Sequence, residues 1–324
     1  MMEQFLVCNY IRLILLLWLT GSTVLTQVSA EWQSLYYRDH PFVGKIYSLE
    51  DGAWISARQL QLNIQHEQFI LLGETHSNPD HHSGQADIIR TWLTAARPSG
   101  LVLEMLAYQN WKPSTQIEYT LEALQQTLEQ VSGRWDWEIY KPILKIHIEH
   151  QLLMMGANLT KEELSQYTAG NVCQITREGK SIGVCDVLEE AQQATIKQLI
   201  FDAHCGYLPL EHTDSLMRTQ VAKDASFALS VSNMGQTHQV ALIAGAVHVR
   251  KDIGVPVHLQ RLGKKSVSIA FVNVDPDKLT VDEYIGPDEL GRQFDYLYFT
   301  PSERNQDPCV EFAEQLKKMK TLTK

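Results

Sequence analysis

Long apolar runs are missing from this 324-residue chain; the longest, LILLLWL at 13–19, has seven residues. A membrane-spanning helix needs about 20, so none is expected. Cations are scarce too: 28 Lys and Arg face 38 Asp and Glu, for a formal net charge of −10. Neutralising a phosphate backbone takes a surplus of Lys and Arg, which argues against a nucleic-acid partner. The five cysteines include no Cys-x-x-Cys pair, so neither a zinc ribbon nor a thiolate metal site is expected. Repeats, low-complexity tracts and linkers are absent from 31–324, and these residues read as one domain. With 44% hydrophobic and 20% charged residues, the chain is neither disordered nor fibrous.

What the chain has in surplus is histidine, 12 in all. None lies in the first 30 residues. There, Arg12 precedes the apolar run, and Val28-Ser29-Ala30 offers small or β-branched residues where a signal peptidase reads. Residues 1–30 are therefore expected to be a secretory signal cleaved after Ala30. No Leu-x-x-Cys box precedes that site and Cys8 lies before the apolar run, so a lipid anchor is not expected. The mature chain is expected to be soluble and periplasmic or otherwise exported, in an oxidising compartment. Cys173 and Cys185 flank QITR-EGK-SIGV. A hairpin with a three-residue loop over Glu178–Lys180 would set them opposite each other and pair them; Cys205 and Cys309 are left either paired or free.

Strands are expected at 69–72, a continuous apolar run, and at 101–103, 152–157, 240–244 and 267–274, the last of these as the final strand. Helical patterns fall at 56–63, from Pro79, at 114–131, 138–151, 161–167, 186–203, 213–230 and 308–320. The alternation predicts an α/β fold, a largely parallel central sheet flanked by helices, with a mainly helical insertion or cap over about 108–231.

In such sheets the ligand lies beyond the carboxyl ends of the strands. Residues just after each buried strand therefore carry most information. They are Gly73-Glu74-Thr75-His76, then His81 and His82; Glu104; and Gly245-Ala246-Val247-His248, then Arg250 and Lys251. Gly-x-x-His also occurs at 235–238, but before its strand rather than after it. His76, Glu74, Glu104 and His248 are expected to converge. His81 and His82 fall in a first helical turn, with one expected to face solvent; the N-terminus there disfavours a charged imidazole. His204-Cys205-Gly206-Tyr207 ends a helix and offers a ligand-contact loop. His40, His66, His147, His150, His212, His238 and His258 are read as surface or helix-face residues. Two chemistries suit the group. His76, His248, Glu74 and Glu104 could bind a divalent metal that activates water, one carboxylate serving as general base. Alternatively the edge could hold haem, which needs an axial His or Tyr, with Arg250 and Lys251 near its propionates; Tyr108 and Tyr207 are then candidates beside the histidines.

ILLGETHSNPDHH (70–82), LVLEM (101–105), GRWDWEIYKPIL (133–144), MGANLTKEEL (155–164), HCGYLP (204–209), MRTQVAKDASFA (217–228) and ALIAGAVHVRKDIGVPVHL (241–259) together resemble the ChaN-like haem-binding uptake family of the Tiki superfamily. The resemblance runs from about 45 to 275. It implies an α/β fold, an envelope location and haem binding for iron acquisition. It also implies two subunits sharing the ligand and envelope haem or iron transport components as partners. Relatives elsewhere in that superfamily include metal-dependent proteases and erythromycin-esterase-like hydrolases, which implies catalytic roles for Glu74 and Glu104 if this chain were a hydrolase. The sequence departs from the family in lacking a lipobox and in carrying Val247 where a glycine is common.

Overall fold

Every residue of the third strand, Phe69–Glu74, is buried, because it has a strand on each side and a helical layer on each face. In the computed structural model, which describes residues 31–93, 97–111, 120–132, 134–285 and 293–313, the elements run in this order. β1 (Ile46–Ser48), β2 (Ala53–Ile55), α1 (Ala57–Ile64), β3 (Phe69–Glu74), α2 (Pro79–Trp92) and β4 (Ser99–Ala107) come first. α3 (Leu121–Ser132), α4 (Lys141–Glu149), β5 (Leu153–Asn158), α5 (Lys161–Thr168), β6 (Gln174–Arg177) and β7 (Lys180–Gly183) follow. Next are α6 (Glu190–Ala203), α7 (Thr213–Met234), β8 (Gln239–Gly245), α8 (Val255–Arg261), β9 (Val267–Asn273), α9 (Asp282–Ile285) and β10 (Tyr296–Thr300). The expected signal segment 1–30, the start of the helix expected at 114–131 and the end of that at 308–320 lie outside the described residues.

The sheet has eight strands in the order β2-β1-β10-β9-β3-β8-β4-β5. From β10 to β5 all neighbours are parallel, and β1 and β2 add an antiparallel edge. Side chains alternate between the faces with the two-residue period of a strand. Ile70, Leu72, Leu101, Leu103 and Ile243 share one cluster with Ala86, Ile89 and Trp92 of α2. Phe69, Leu71, Val102, Val240 and Leu242 share the other with Phe227 and Val231 of α7 and Leu259 of α8. The neighbours β3 and β8 thus send their following helices, α2 and α8, to opposite faces. That leaves a crevice at their carboxyl ends, where ligands bind in open α/β sheets.

Residues from Trp32 onward make one compact unit. The segment 108–231 holds α3 to α7, and it also supplies the edge strand β5 and the small β6–β7 sheet. Four elements differ from the sequence reading, α9 among them, since no helix is expected over its residues. β9 is not the last strand, since β10 follows and pairs with it; its YLYFT alternates half-buried Tyr296 and Tyr298 with buried Leu297 and Phe299, a pattern shorter than the continuous runs of the central strands. Helix α8 has no counterpart among the expected helices. The Cys173–Cys185 disulfide is formed, but its hairpin turns on two residues, not three. Glu178 and Gly179 both take left-handed φ, +48° and +78°, as a tight primed turn requires. Arg177 then pairs with Lys180 and the register shifts by one, so that Cys173 faces Val184. A second disulfide joins Cys205 to Cys309.

Candidate functional site

The connection from β3 to α2 is only four residues, 75–78. It is closed by the Asn78 side chain, which accepts the Asp80 N–H, and by Pro79 in the first helical turn. This tight joint carries His76 over the sheet edge and brings His81 and His82 beneath Glu74. Glu104 lies within β4, two strands away, and His248 sits on a short 3-10 turn at 246–249 after β8. The two glycines serve close approach. A Cβ on Gly73 would lie 2.3 Å from Val249 Cγ2 and 2.9 Å from Ala246 Cα, and one on Gly245 would lie 3.2 Å from His76 Nε2.

Four donors converge on the Glu74 carboxylate. Tyr140 Oη donates to Oε1 at 2.5 Å and His76 Nδ1 to the same oxygen at 2.8 Å. Gln85 Nε2 donates to Oε2 at 2.8 Å, and His82 Nδ1 is 3.1 Å from it. The other His82 nitrogen donates to the His76 carbonyl at 3.2 Å. Glu104 is held similarly. Its Oε2 accepts the Gly245 N–H at 2.8 Å and lies 3.6 Å from His76 Nε2. Its Oε1 is 3.3 Å from His248 Nε2 and 3.9 Å from Lys223 Nζ on α7. His248 Nδ1 donates to Asp224 Oδ1 at 2.6 Å, with the Gln220 amide 2.9 Å from the same nitrogen. His76 joins the two halves, since one ring nitrogen meets Glu74 and the other faces Glu104.

These contacts set the charges. Burial would push the Glu74 and Glu104 carboxyls up, but their histidine partners outweigh it and hold both below the usual carboxylate range. Burial would push His248 down; Glu104 and Asp224 reverse this and push it up to about 10. His76 and His82 are raised against their own burial by Glu74, with Glu104 adding to His76. Asp224 is pushed up to about 6 by burial, which His248 only partly offsets. Burial lowers His81 to about 3, so its Nδ1 is free to accept the Thr75 N–H at 2.9 Å.

The structure thus brings together Glu74, His76, His82, Glu104 and His248, as the strand-end argument expects. Neither His81 nor His82 faces solvent; both are fully buried, because α2 lies flat on the sheet with its first turn inside. Glu74 also raises His82 against its burial, where the helix N-terminus alone would disfavour its charged form. Arg250 and Lys251 point to other partners. Arg250 forks onto Asp252 at 3.0 and 2.6 Å, and Lys251 donates to Asp295 at 2.5 Å, so both expected propionate contacts are engaged elsewhere. Tyr108 is buried and donates to Glu178 at 2.7 Å. His258, read as a surface or helix-face residue, is fully buried. His204 and Tyr207 stand apart from the buried group. His204 Nδ1 donates to the Ile200 carbonyl at 2.7 Å, closing α6. Tyr207 is 55% exposed and meets Phe312 edge-on at 5.5 Å. Among the described residues no three His, Cys, Asp or Glu side chains are placed to hold a metal ion, so the expected divalent-metal set of His76, His248, Glu74 and Glu104 has no support. Its imidazoles and carboxylates face each other instead of a common centre.

Sequence reasoning missed Tyr140, Gln85, Lys223 and Asp224. A signal existed for two of them: Lys223-Asp224 interrupts the AxxASFALSV face of α7, where an unpaired charge would be costly to bury.

The fold and the strand-end group define an α/β protein with paired carboxylates and imidazoles at the crevice of a parallel sheet. Residues 61–259 match the family model for haem-binding uptake proteins of the Tiki superfamily, ChaN, and the chain belongs to that family. A solved structure described as cofacial haem binding to ChaN of Campylobacter jejuni is similar, with a TM-score of 0.60 and 21% identity, covering 78% of this chain and 95% of that one. It supports the fold. Two further structures are more distant: a mutant of the erythromycin esterase EreC in its open conformation (TM-score 0.43, 13% identity, 82% and 99% covered), and the type III effector HopBA1 (0.40, 12%, 75% and 92%). No curated protein sequence matches this chain.

Proposed function

We propose that this chain is an exported haem-binding protein serving haem or iron uptake, and that it holds haem at the carboxyl end of the sheet. Family membership supports the ligand. The observation that carries the position is the exposed phenol of Tyr207. It meets the exposed Phe312 ring, has the exposed Leu210 three residues on in the chain, and comes just before the first turn of α7. That helix rises about 1.5 Å per residue. Its first turn therefore stands roughly 10 Å beyond Gln220, the residue beside His248, on the same side as the strand ends. A porphyrin needs apolar surface and one accessible axial donor. The outer loop offers both, whereas His82 and His248 are buried and engaged. Tyr207 would supply the axial oxygen, with His204 beside it on the loop, and His76 is the one strand-end imidazole with an exposed edge, at 34%. When bound, haem supplies the iron that is the cargo of uptake.

The two disulfides suit an oxidising compartment, and residues 1–30 carry the pattern of a cleaved signal, so the reading places the mature chain in the periplasm. No helix among the described residues is long and apolar enough to cross a membrane. Two copies sharing the haem, and delivery to envelope iron-transport components, complete the proposal. Its hydrolytic alternative gains nothing from the geometry. Glu74 and Glu104 are held ionised with all four oxygens occupied, and neither is available as a general base at a substrate.

The test is equilibrium titration of the mature chain with ferric haem. Saturable binding with a shifted Soret band is expected. Titration indistinguishable from haem in buffer would overturn the proposal.

A further inference from the structure

The GRWDW stretch at 133–137 has found no role so far beyond family likeness. Arg134 stacks over the Trp135 ring, guanidinium carbon 4.9 Å from its centroid. The same ring meets the His76 imidazole edge-on at 4.8 Å. Arg134 is exposed, and among the described residues no carboxylate pairs with it. In a chain of net charge −10 an unpaired guanidinium beside a buried charge cluster is a conspicuous use of a scarce cation. On the other side of the contact chain, Lys223 Nζ approaches Glu104 Oε1 no closer than 3.9 Å, beyond hydrogen-bond range, so its donors are not consumed there. The partly exposed His76 links the two ends of that chain, meeting Trp135 on one side and lying with its Nε2 3.6 Å from the other Glu104 oxygen on the other. Among the described residues the buried indole N–H of Trp135 has no acceptor, which leaves one more unmet donor on the ring that meets the imidazole.

We propose that Arg134, Lys223 and the exposed edge of His76 form a carboxylate-binding subsite at the mouth of the strand-end group, and that it receives the propionates of the haem. The second clause rests on the haem reading above; the subsite itself does not. A guanidinium presents a planar fork matched to a carboxylate, and stacking on Trp135 fixes its plane. Glu74 and Glu104 raise His76 against its own burial, and Arg134 and Lys223 add two cationic side chains, while the two glutamates are already engaged. The subsite takes the role expected of Arg250 and Lys251, which Asp252 and Asp295 occupy.

The test compares ferric haem with haem dimethyl ester, which lacks the carboxylates, on the mature wild type and on Arg134→Gln and Lys223→Gln. Losing one charge-assisted contact should weaken haem binding about tenfold, with an unchanged Soret position because the axial donor is intact. The dimethyl ester should bind wild type and variants alike. Equal haem affinity across the three proteins would overturn the subsite, as would an equal loss for the ester, which would mark a structural effect. A second arm uses no haem: glutarate as a free dicarboxylate should shift the His76 imidazole NMR signals saturably in wild type and not in Arg134→Gln. If wild type binds no haem yet glutarate titrates His76, the haem reading falls and the subsite stands for another carboxylate. If neither ligand binds, the subsite falls as well.

Discussion

His248 shows how one residue acquires its character from its neighbours. Alone it would be a buried imidazole, neutral at physiological pH; between Glu104 and Asp224 it is charged up to about pH 10. Its folded pKa lies above the value of about 6.5 expected for an unfolded histidine. Its pairing therefore stabilises fully below about pH 6.5 and is lost progressively as pH rises towards 10. Replacing His248 by Gln leaves two buried carboxylates short of their cation, a change that costs about 3 kcal/mol. Urea unfolding of wild type and His248→Gln should show that gap near pH 6 and a much smaller one near pH 10. An unchanged gap would mean that the pairing is not what holds this residue. Glu74 and Glu104 titrate in the opposite sense: both are depressed, so their contribution is present above the ordinary carboxylate range and disappears on acidification.

At the scale of elements, the strands that carry the site were legible and their partners were not. Phe69–Leu72, Leu101–Leu103 and Val240–Ala244 are continuous apolar runs because each is covered on both faces, and the residues within one turn after each run are the ones that chemistry can use. The convergence of Glu74, Glu104 and His248 follows from that alone. Helical partners are harder to read. Tyr140 begins α4 and Asp224 sits mid-α7, and only the packing of those helices brings them to the strand ends. The solvent-facing expectation for His81 or His82 failed for a related reason, since an N-terminal helical turn usually looks outward and this one is tucked under β3. β10 was missed because Tyr296–Thr300 alternates instead of running apolar. The Gly-x-x-His motifs gain a physical meaning here. Gly73 is not needed for an unusual φ; it lets the 246–249 turn pack against β3. Gly73→Ala should cost about 1–3 kcal/mol through overpacking, because Val249 and the Ala246 backbone cannot retreat. Gly245→Ala, whose Cβ meets the movable His76 ring at 3.2 Å, should cost less. Thermal unfolding of the two variants decides the order; a Gly245→Ala penalty as large as that of Gly73→Ala would contradict it.

For the whole molecule, the histidine surplus divides into a buried structural part and an open part. His82 and His248 are locked into carboxylates inside the sheet edge, where they fix the crevice. Tyr207, with His204, stands outside on a loop that the Cys205–Cys309 bridge ties to the C-terminal segment carrying Phe312. Haem is accordingly expected on the outer loop and across the mouth, not among the buried imidazoles. The net charge of −10 does not describe that edge, where Arg134 and Lys223 stand near the His76 group. Electron paramagnetic resonance of the ferric haem complex reads the iron's axial donor directly. The account predicts a high-spin signal characteristic of phenolate ligation, abolished or converted in Tyr207→Phe. A low-spin bis-imidazole signal that persists unchanged in Tyr207→Phe would contradict it.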